Sequence, residues 1–101
     1  MSDDLPDNPF DEAAARVVEI GNQLAELNPD ADYWDIADGL LAGAVQYWLY
    51  TRQPCDDPEC QDCAAMATAE LRLKALLRSV DELARSSEYF HTANDFGAGR
   101  A

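Results

Sequence analysis

The chain has 101 residues, of which 48% are apolar, and a formal net charge of −13. Its length is that of one domain, and this apolar fraction excludes an intrinsically disordered chain. Residues 1–63 carry 15 of the 20 acidic residues and two of the seven basic ones, so direct binding to nucleic acid or to an anionic membrane is not expected.

The N-terminal residues and the cysteine count bear on the compartment. The first ten residues, MSDDLPDNPF, lack the basic and apolar regions of a secretory signal. The longest apolar run, residues 39–45, is far shorter than the roughly 20 residues of a membrane span. An odd number of closely spaced cysteines suits a reducing compartment better than a disulfide framework. We therefore expect a cytoplasmic protein.

Helix 1 is predicted over residues 9–27, after a flexible acidic lead-in at residues 1–9. Asn8 is suited to cap it, because a short amide side chain accepts a hydrogen bond from the first turn, and Pro9 is tolerated at the first helical position. Alternating steps of three and four residues then give one apolar seam: Phe10, Ala13, Val17, Ile20, Leu24 and Leu27.

Helix 2, predicted over residues 31–52, has two apolar seams instead of one. The first contains Tyr33, Ile36, Leu40, Gly43, Tyr47 and Tyr50, and the second contains Trp34, Ala37, Leu41, Ala44 and Trp48. A helix that is apolar all round is typically buried on several sides. Gly39 and Gly43 lie on one face and lower helix propensity, so a neighbouring helix is expected to approach closely there.

A loop that contains all three cysteines separates helix 2 from helix 3. Pro54 and Pro58 break the helix, which places the loop at residues 53–62. Helix 3 is predicted over residues 62–86, with its own single seam of Met66, Ala69, Leu73, Leu76, Val80 and Leu83. The tail, residues 88–101, contains Tyr89, Phe90 and Phe96, so part of it is expected to dock.

These elements predict an all-α fold, a small antiparallel helical bundle of three main helices at residues 10–87 with a partly docked C-terminal tail. No strand alternation is present. Helix 2 has more apolar surface than two neighbouring helices are expected to cover. We therefore also expect a homodimer that buries the surplus.

The cysteine loop is a candidate metal site. Cys55, Cys60 and Cys63 have the spacing C-x4-C-x2-C, and thiolates this close in sequence can converge on one ion. A structural zinc takes four ligands, so His91, or a carboxylate from Asp56, Asp57 or Glu59, is needed as the fourth. Two alternatives stay open: a dithiol redox site at the Cys-x-x-Cys pair, and free thiols without a ligand.

Geometry argues against His91 of the same chain as the fourth ligand. A continuous helix from Cys63 to Ser86 would rise about 35 Å at about 1.5 Å per residue. The five residues from Ser86 to His91, even when fully extended, can lead back along the helix by at most about 17 Å. His91 therefore cannot reach the cysteines unless the helix breaks, for instance near Ser79, whereas a second chain running antiparallel could supply it.

The remaining candidates point to binding more than to catalysis. No catalytic constellation is visible, so an enzyme is not expected. Candidate interaction residues are the aromatics Tyr33, Trp34, Tyr47 and Trp48 and the acids Asp32, Asp35 and Asp38. The sequence thus favours a small acidic regulatory module that binds another protein with a basic or nucleic-acid-binding surface. The alternative is a zinc-binding or thiol-redox accessory protein.

Overall fold

The computed structural model describes residues 8–98, with side chains as far as Asp95, and its regular elements are all helical. They are α1 (Pro9–Leu27), α2 (Tyr33–Tyr50), a single 3-10 turn (Ala64–Met66), α3 (Ala69–Ser86) and α4 (Ala93–Ala98). The predicted all-α fold with three main helices is confirmed, in agreement with a small helical bundle. Among the described residues, no helix has both the length and the apolar character to cross a bilayer. Most of the predicted lead-in, residues 1–7, lies outside the described range.

Helix α1 begins and ends where its capping residues predict. The Asn8 side chain accepts a hydrogen bond from the Asp11 amide at 2.8 Å, and Pro9 is the first helical residue. At the other end, the Asn28 side-chain amide donates to the Leu24 carbonyl at 3.0 Å. Because the caps are local in sequence, these bounds follow from the chain alone.

Helices α1 and α2 form a hairpin. The chain divides into two compact units after Tyr47, so the first unit contains α1 and the first fifteen residues of α2. The turn between the helices closes through a hydrogen bond from the Ala31 amide to the Asn28 carbonyl at 2.9 Å. The Asp32 carboxylate accepts from the Trp34 amide at 2.9 Å and so helps to begin α2. Gly21 lies opposite Leu40, and Ala25 and Ile36 line the same groove, so α1 and α2 run antiparallel.

The close approach of the two helices occurs at Gly21, and the prediction that placed it at Gly39 and Gly43 is wrong. A Cβ added at Gly21 would lie 2.9 Å from Leu40 Cδ1. Within the described part of the chain, nothing lies within 4 Å of a Cβ built at Gly39 or Gly43. The physical reason is register, because the short turn pairs residue 21 with residue 40.

Helix α2 is far more exposed than its all-round apolar pattern predicts. None of its residues is buried. Ile36 and Leu40, on the side that meets α1, are half-buried, whereas Trp34 is 80% exposed and Tyr47 is 69% exposed. Because one neighbouring helix covers only one side of α2, the expected burial on several sides is not found in the described part of the chain.

In the second unit, α3 begins at Ala69, seven residues after the predicted start near Asp62. The Thr68 hydroxyl accepts from the Leu71 amide at 3.1 Å and caps the helix. Arg72 donates to the Met66 carbonyl at 2.9 Å, which ties the preceding 3-10 turn to α3. The cysteine segment is therefore not part of the helix.

Helix α3 and the tail enclose little apolar surface. Leu76 is the single buried residue among the side chains that the structure describes, at 9% exposure. In the tail, Phe90 lies under the Arg85 guanidinium at 5.8 Å, whereas Tyr89 is 82% exposed. Phe90 thus contacts the end of α3 but stays exposed, and the Phe96 side chain lies outside the described set.

Candidate functional site

The three cysteines converge in the loop between α2 and α3. Their Sγ atoms all lie within 4.8 Å of one another. A turn closes the loop, because the Cys60 amide donates to the Asp57 carbonyl at 3.2 Å and the Glu59 amide donates to the Asp57 carboxylate at 3.0 Å. Loop turns thus bring Cys60 and Cys63 back to Cys55.

Backbone N–H groups donate to the sulfur atoms of Cys60 and Cys63. The Cys55 amide donates to Cys63 Sγ at 3.3 Å, across eight residues of sequence. The Cys55 thiol points to the Asp57 carbonyl at 3.9 Å. All three cysteines are free thiols; Cys55 is exposed and the other two are half-buried. Such N–H donors stabilise negative charge on sulfur, as a metal-binding thiolate requires.

Contacts within the cluster shift the pKa values of Cys60 and Cys63 in opposite directions. The Cys63 amide, together with the Cys55 thiol, hydrogen-bonds to Cys60 and holds the pKa of Cys60 below its usual value. The Cys55 amide by itself lowers the pKa of Cys63, but hydrogen bonds with the other two thiols and partial burial outweigh it, so the pKa of Cys63 is raised. Cys60 is therefore the thiol that ionises more readily.

The donor set fits a soft metal ion. Zinc binds thiolate sulfur at about 2.3 Å, so the edge of a tetrahedral site is about 3.8 Å. Separations of up to 4.8 Å need a contraction of about 1 Å, which an exposed loop can supply. Three close cysteines can thus hold a metal ion, one ligand short of a closed structural zinc site.

The structure does not bring His91 to the cysteines. Its Nδ1 lies 3.4 Å from the Asp95 carboxylate, and its ring meets Phe90 edge-on with centroids 4.9 Å apart. The candidate carboxylates Asp56, Asp57 and Glu59 share the loop with the cysteines. Among the described residues, none of these four side chains joins the three cysteines that could hold a metal ion.

The candidate interaction residues of the first unit are exposed on α2. Tyr33 is 73% exposed, and Tyr47 lies fourteen residues further along the same seam. Trp34 and Leu41, which is 56% exposed, lie seven residues apart on the second seam. Spacings of seven place residues on one side of a helix. We call Tyr33, Trp34, Leu41 and Tyr47 the α2 apolar surface.

A groove of about 540 Å³ runs between α1 and α2 beside this surface. Its apolar lining comes from Ala25 of α1 and Ile36, Ala37 and Leu40 of α2. Glu26 adds a carboxylate to the lining. The hairpin therefore offers both an apolar groove and neighbouring exposed aromatics.

Acidic side chains accompany the α2 apolar surface. Residues 8–47 contain eight acidic residues and one arginine, a net charge of −7. Asp35 and Asp38 are exposed. Asp32 is also exposed, although its carboxylate caps α2 through the Trp34 amide. The surface thus combines apolar contact area with a strongly negative field.

Trp48, the remaining aromatic candidate, belongs to the second unit and is half-buried. The Arg52 guanidinium lies 3.8 Å from its ring centroid, a cation–π contact. Sequence analysis overlooked this pair, although the four-residue spacing of an arginine and a tryptophan on one helix is a signal for it. Trp48 is therefore less available for binding than Trp34.

Comparison with protein-family models, curated protein sequences and solved structures finds no match for this chain. A functional proposal therefore depends on this chain's own residues.

Proposed function

We propose that this chain is a non-catalytic interaction module that binds another protein through the α2 apolar surface. The observation that carries the proposal is the exposure of Trp34, at 80%. Burial of a large apolar side chain contributes about 1.5–3 kcal/mol, and each of the four side chains of the α2 apolar surface is more than half exposed. Exposed apolar patches of this kind commonly mark interaction sites.

Charge decides which partner the surface favours. A second copy of the chain brings the same net −7 of residues 8–47 to the interface, so like charges would meet in a homodimer. A partner with apolar residues ringed by Lys and Arg satisfies both features of the surface. We therefore propose a basic partner protein; the homodimer is the alternative occupant that the test distinguishes.

The test is capture of the partner from cells that make this protein, with wild-type chain and Trp34→Ser as baits. Trp34→Ser should lose the partner, because it removes the most exposed aromatic of the surface. Tyr89→Ser is the matched control: Tyr89 is 82% exposed but lies in the second unit, so its loss should leave capture unchanged.

Salt provides the second readout of the same experiment. Raising the ionic strength from about 0.1 M to about 1 M shortens the Debye length from about 10 to about 3 Å. A basic partner should then dissociate, and Asp35→Asn with Asp38→Asn should weaken capture at low salt. Three results would contradict the proposal of a basic partner protein. The partner stays bound at high salt, Trp34→Ser still captures it, or the only protein captured is a second copy of the chain.

A second candidate function, zinc binding by Cys55, Cys60 and Cys63, is favoured by the convergence of their sulfur atoms. Protein purified untagged and without chelator should contain about one zinc per chain. Cys63→Ser should lower that content, and circular dichroism should show that the helices persist. Metal well below one equivalent in reduced wild-type protein would contradict this candidate.

A further inference from the structure

We propose that the Cys55/Cys60/Cys63 cluster holds Zn²⁺ through three thiolates of this chain and leaves the fourth coordination position to an exchangeable ligand from outside it. This inference rests on the proposed zinc binding and specifies the coordination of the same site. Zinc sites with four protein ligands are closed and structural, whereas sites with three keep an open position. The number of ligands therefore decides which kind of site this is.

The first support is the composition of the cluster. Within the described residues, the three cysteine sulfurs form a group that no His, Asp or Glu joins. His91 lies against Asp95, and the Asp57 carboxylate accepts the Glu59 amide at 3.0 Å. Each of these side chains interacts locally with a group other than a cysteine sulfur.

The second support is the accessibility of the cluster. Cys55 is exposed, and the two other cysteines are half-buried, so an ion bound by all three would meet solvent on one side. Residues 53–63 also carry four carboxylates and no basic residue. This field attracts a cation to the loop.

Charge predicts which ligand class takes the open position. Zn²⁺ with three thiolates carries a formal charge of about −1, and each thiol releases its proton to solvent on binding. The surrounding carboxylates add to that negative charge. A neutral nitrogen donor such as imidazole should therefore bind better than a further thiolate. In the cell, a histidine of another chain has this chemistry.

Cobalt titration of the reduced, metal-free chain tests the site, since Co²⁺ substitutes for zinc and absorbs visible light. Co²⁺ alone should produce the absorption of a tetrahedral site with thiolate ligands. Cys60→Ser should weaken cobalt binding by about 100-fold or more. Loss of a residue that only hydrogen-bonds to a metal ligand already costs up to about 100-fold in metal affinity, and Cys60 is a ligand itself. Circular dichroism of Cys60→Ser checks that the helices persist.

Exogenous ligands then test the open position. Imidazole added to the cobalt protein should shift the visible bands, and 2-mercaptoethanol at the same concentration should shift them less. Without added ligand, the cobalt bands of His91→Ala should be the same as those of the wild-type chain. The matched control is the Cys60→Ser variant with the same cobalt and imidazole concentrations, which shows the absorption of cobalt–imidazole complexes formed in free solution.

The outcomes separate the two levels of the proposal. Tetrahedral bands that imidazole does not shift, or that differ between His91→Ala and the wild-type chain, would show that the protein supplies the fourth ligand. Either result would overturn the open position but not zinc binding. Absence of bands at equimolar cobalt would overturn both. Bands that shift with imidazole in the wild-type chain and in His91→Ala support both.

Discussion

At the scale of single residues, the cysteine loop shows what spacing predicts and what it does not. The gaps between Cys55, Cys60 and Cys63 predict convergence, and the three sulfurs do lie within 4.8 Å of one another. Spacing does not reveal the hydrogen bond from the Cys55 amide to Cys63 Sγ, because that contact depends on how the prolines turn the loop. The different acidities of the thiols follow from such contacts.

The thiols should therefore titrate in a definite order in the reduced, metal-free chain. Because neighbouring donors lower the pKa of Cys60 and the net pKa of Cys63 is raised, the thiolate of Cys60 forms at lower pH. Alkylation by iodoacetamide, followed residue by residue with mass spectrometry, should show a lower pH midpoint for Cys60 than for Cys63. In denaturant the two midpoints should coincide, and coincident midpoints in the folded chain would contradict the described loop.

At the scale of elements, local signals predicted most of the helix bounds. Asn8 with Pro9 predicted the start of α1, and its apolar seam predicted its end at Leu27. Helix α2 is two residues shorter at each end than the predicted range 31–52. The start of α3 was missed because Asp62 resembles an N-terminal acidic residue, whereas the cap is the hydroxyl of Thr68. The contact at Gly21 was missed because it depends on the register that the turn imposes.

Removal of the α3 cap should be measurable. Thr68→Ala deletes the hydroxyl that accepts the Leu71 amide, and loss of such a cap lowers the free energy of unfolding by about 1 kcal/mol. Thermal unfolding followed by circular dichroism is the measurement, and Thr68→Ser, which keeps a hydroxyl, should stay near wild type. An unchanged midpoint in Thr68→Ala would place the start of α3 elsewhere.

The glycines of the hairpin give a matched pair of substitutions. Gly43→Ala adds a methyl group into open space, so it should raise the free energy of unfolding by about 0.5–1 kcal/mol through helix propensity. Gly21→Ala should gain less, because its methyl group would lie 2.9 Å from Leu40 Cδ1 and the leucine must move. Thermal unfolding of both variants tests this order, and a destabilised Gly43→Ala would indicate a close neighbour at that position.

At the scale of the whole molecule, the all-α class followed from the sequence, but the exposure of α2 did not. The apolar pattern of a sequence shows which sides of a helix are apolar. It does not show whether other parts of the same chain cover those sides. In the described part of the chain, Trp34 and Tyr47 remain largely in water. The surplus apolar surface expected from the two seams is therefore present, and its cover is proposed to come from another protein.

Site-specific photo-crosslinking tests whether another protein covers the α2 apolar surface. A photoreactive phenylalanine analogue would replace Trp34 in one strain and Tyr89 in another, and adducts formed in the living cell would be identified by mass spectrometry. The two positions have nearly equal exposure, 80% and 82%, so unspecific collisions should label both alike. We expect one discrete adduct with a basic protein from position 34 and none from position 89. Equal labelling at both positions, or no adduct from position 34, would contradict binding of a basic partner at the α2 apolar surface.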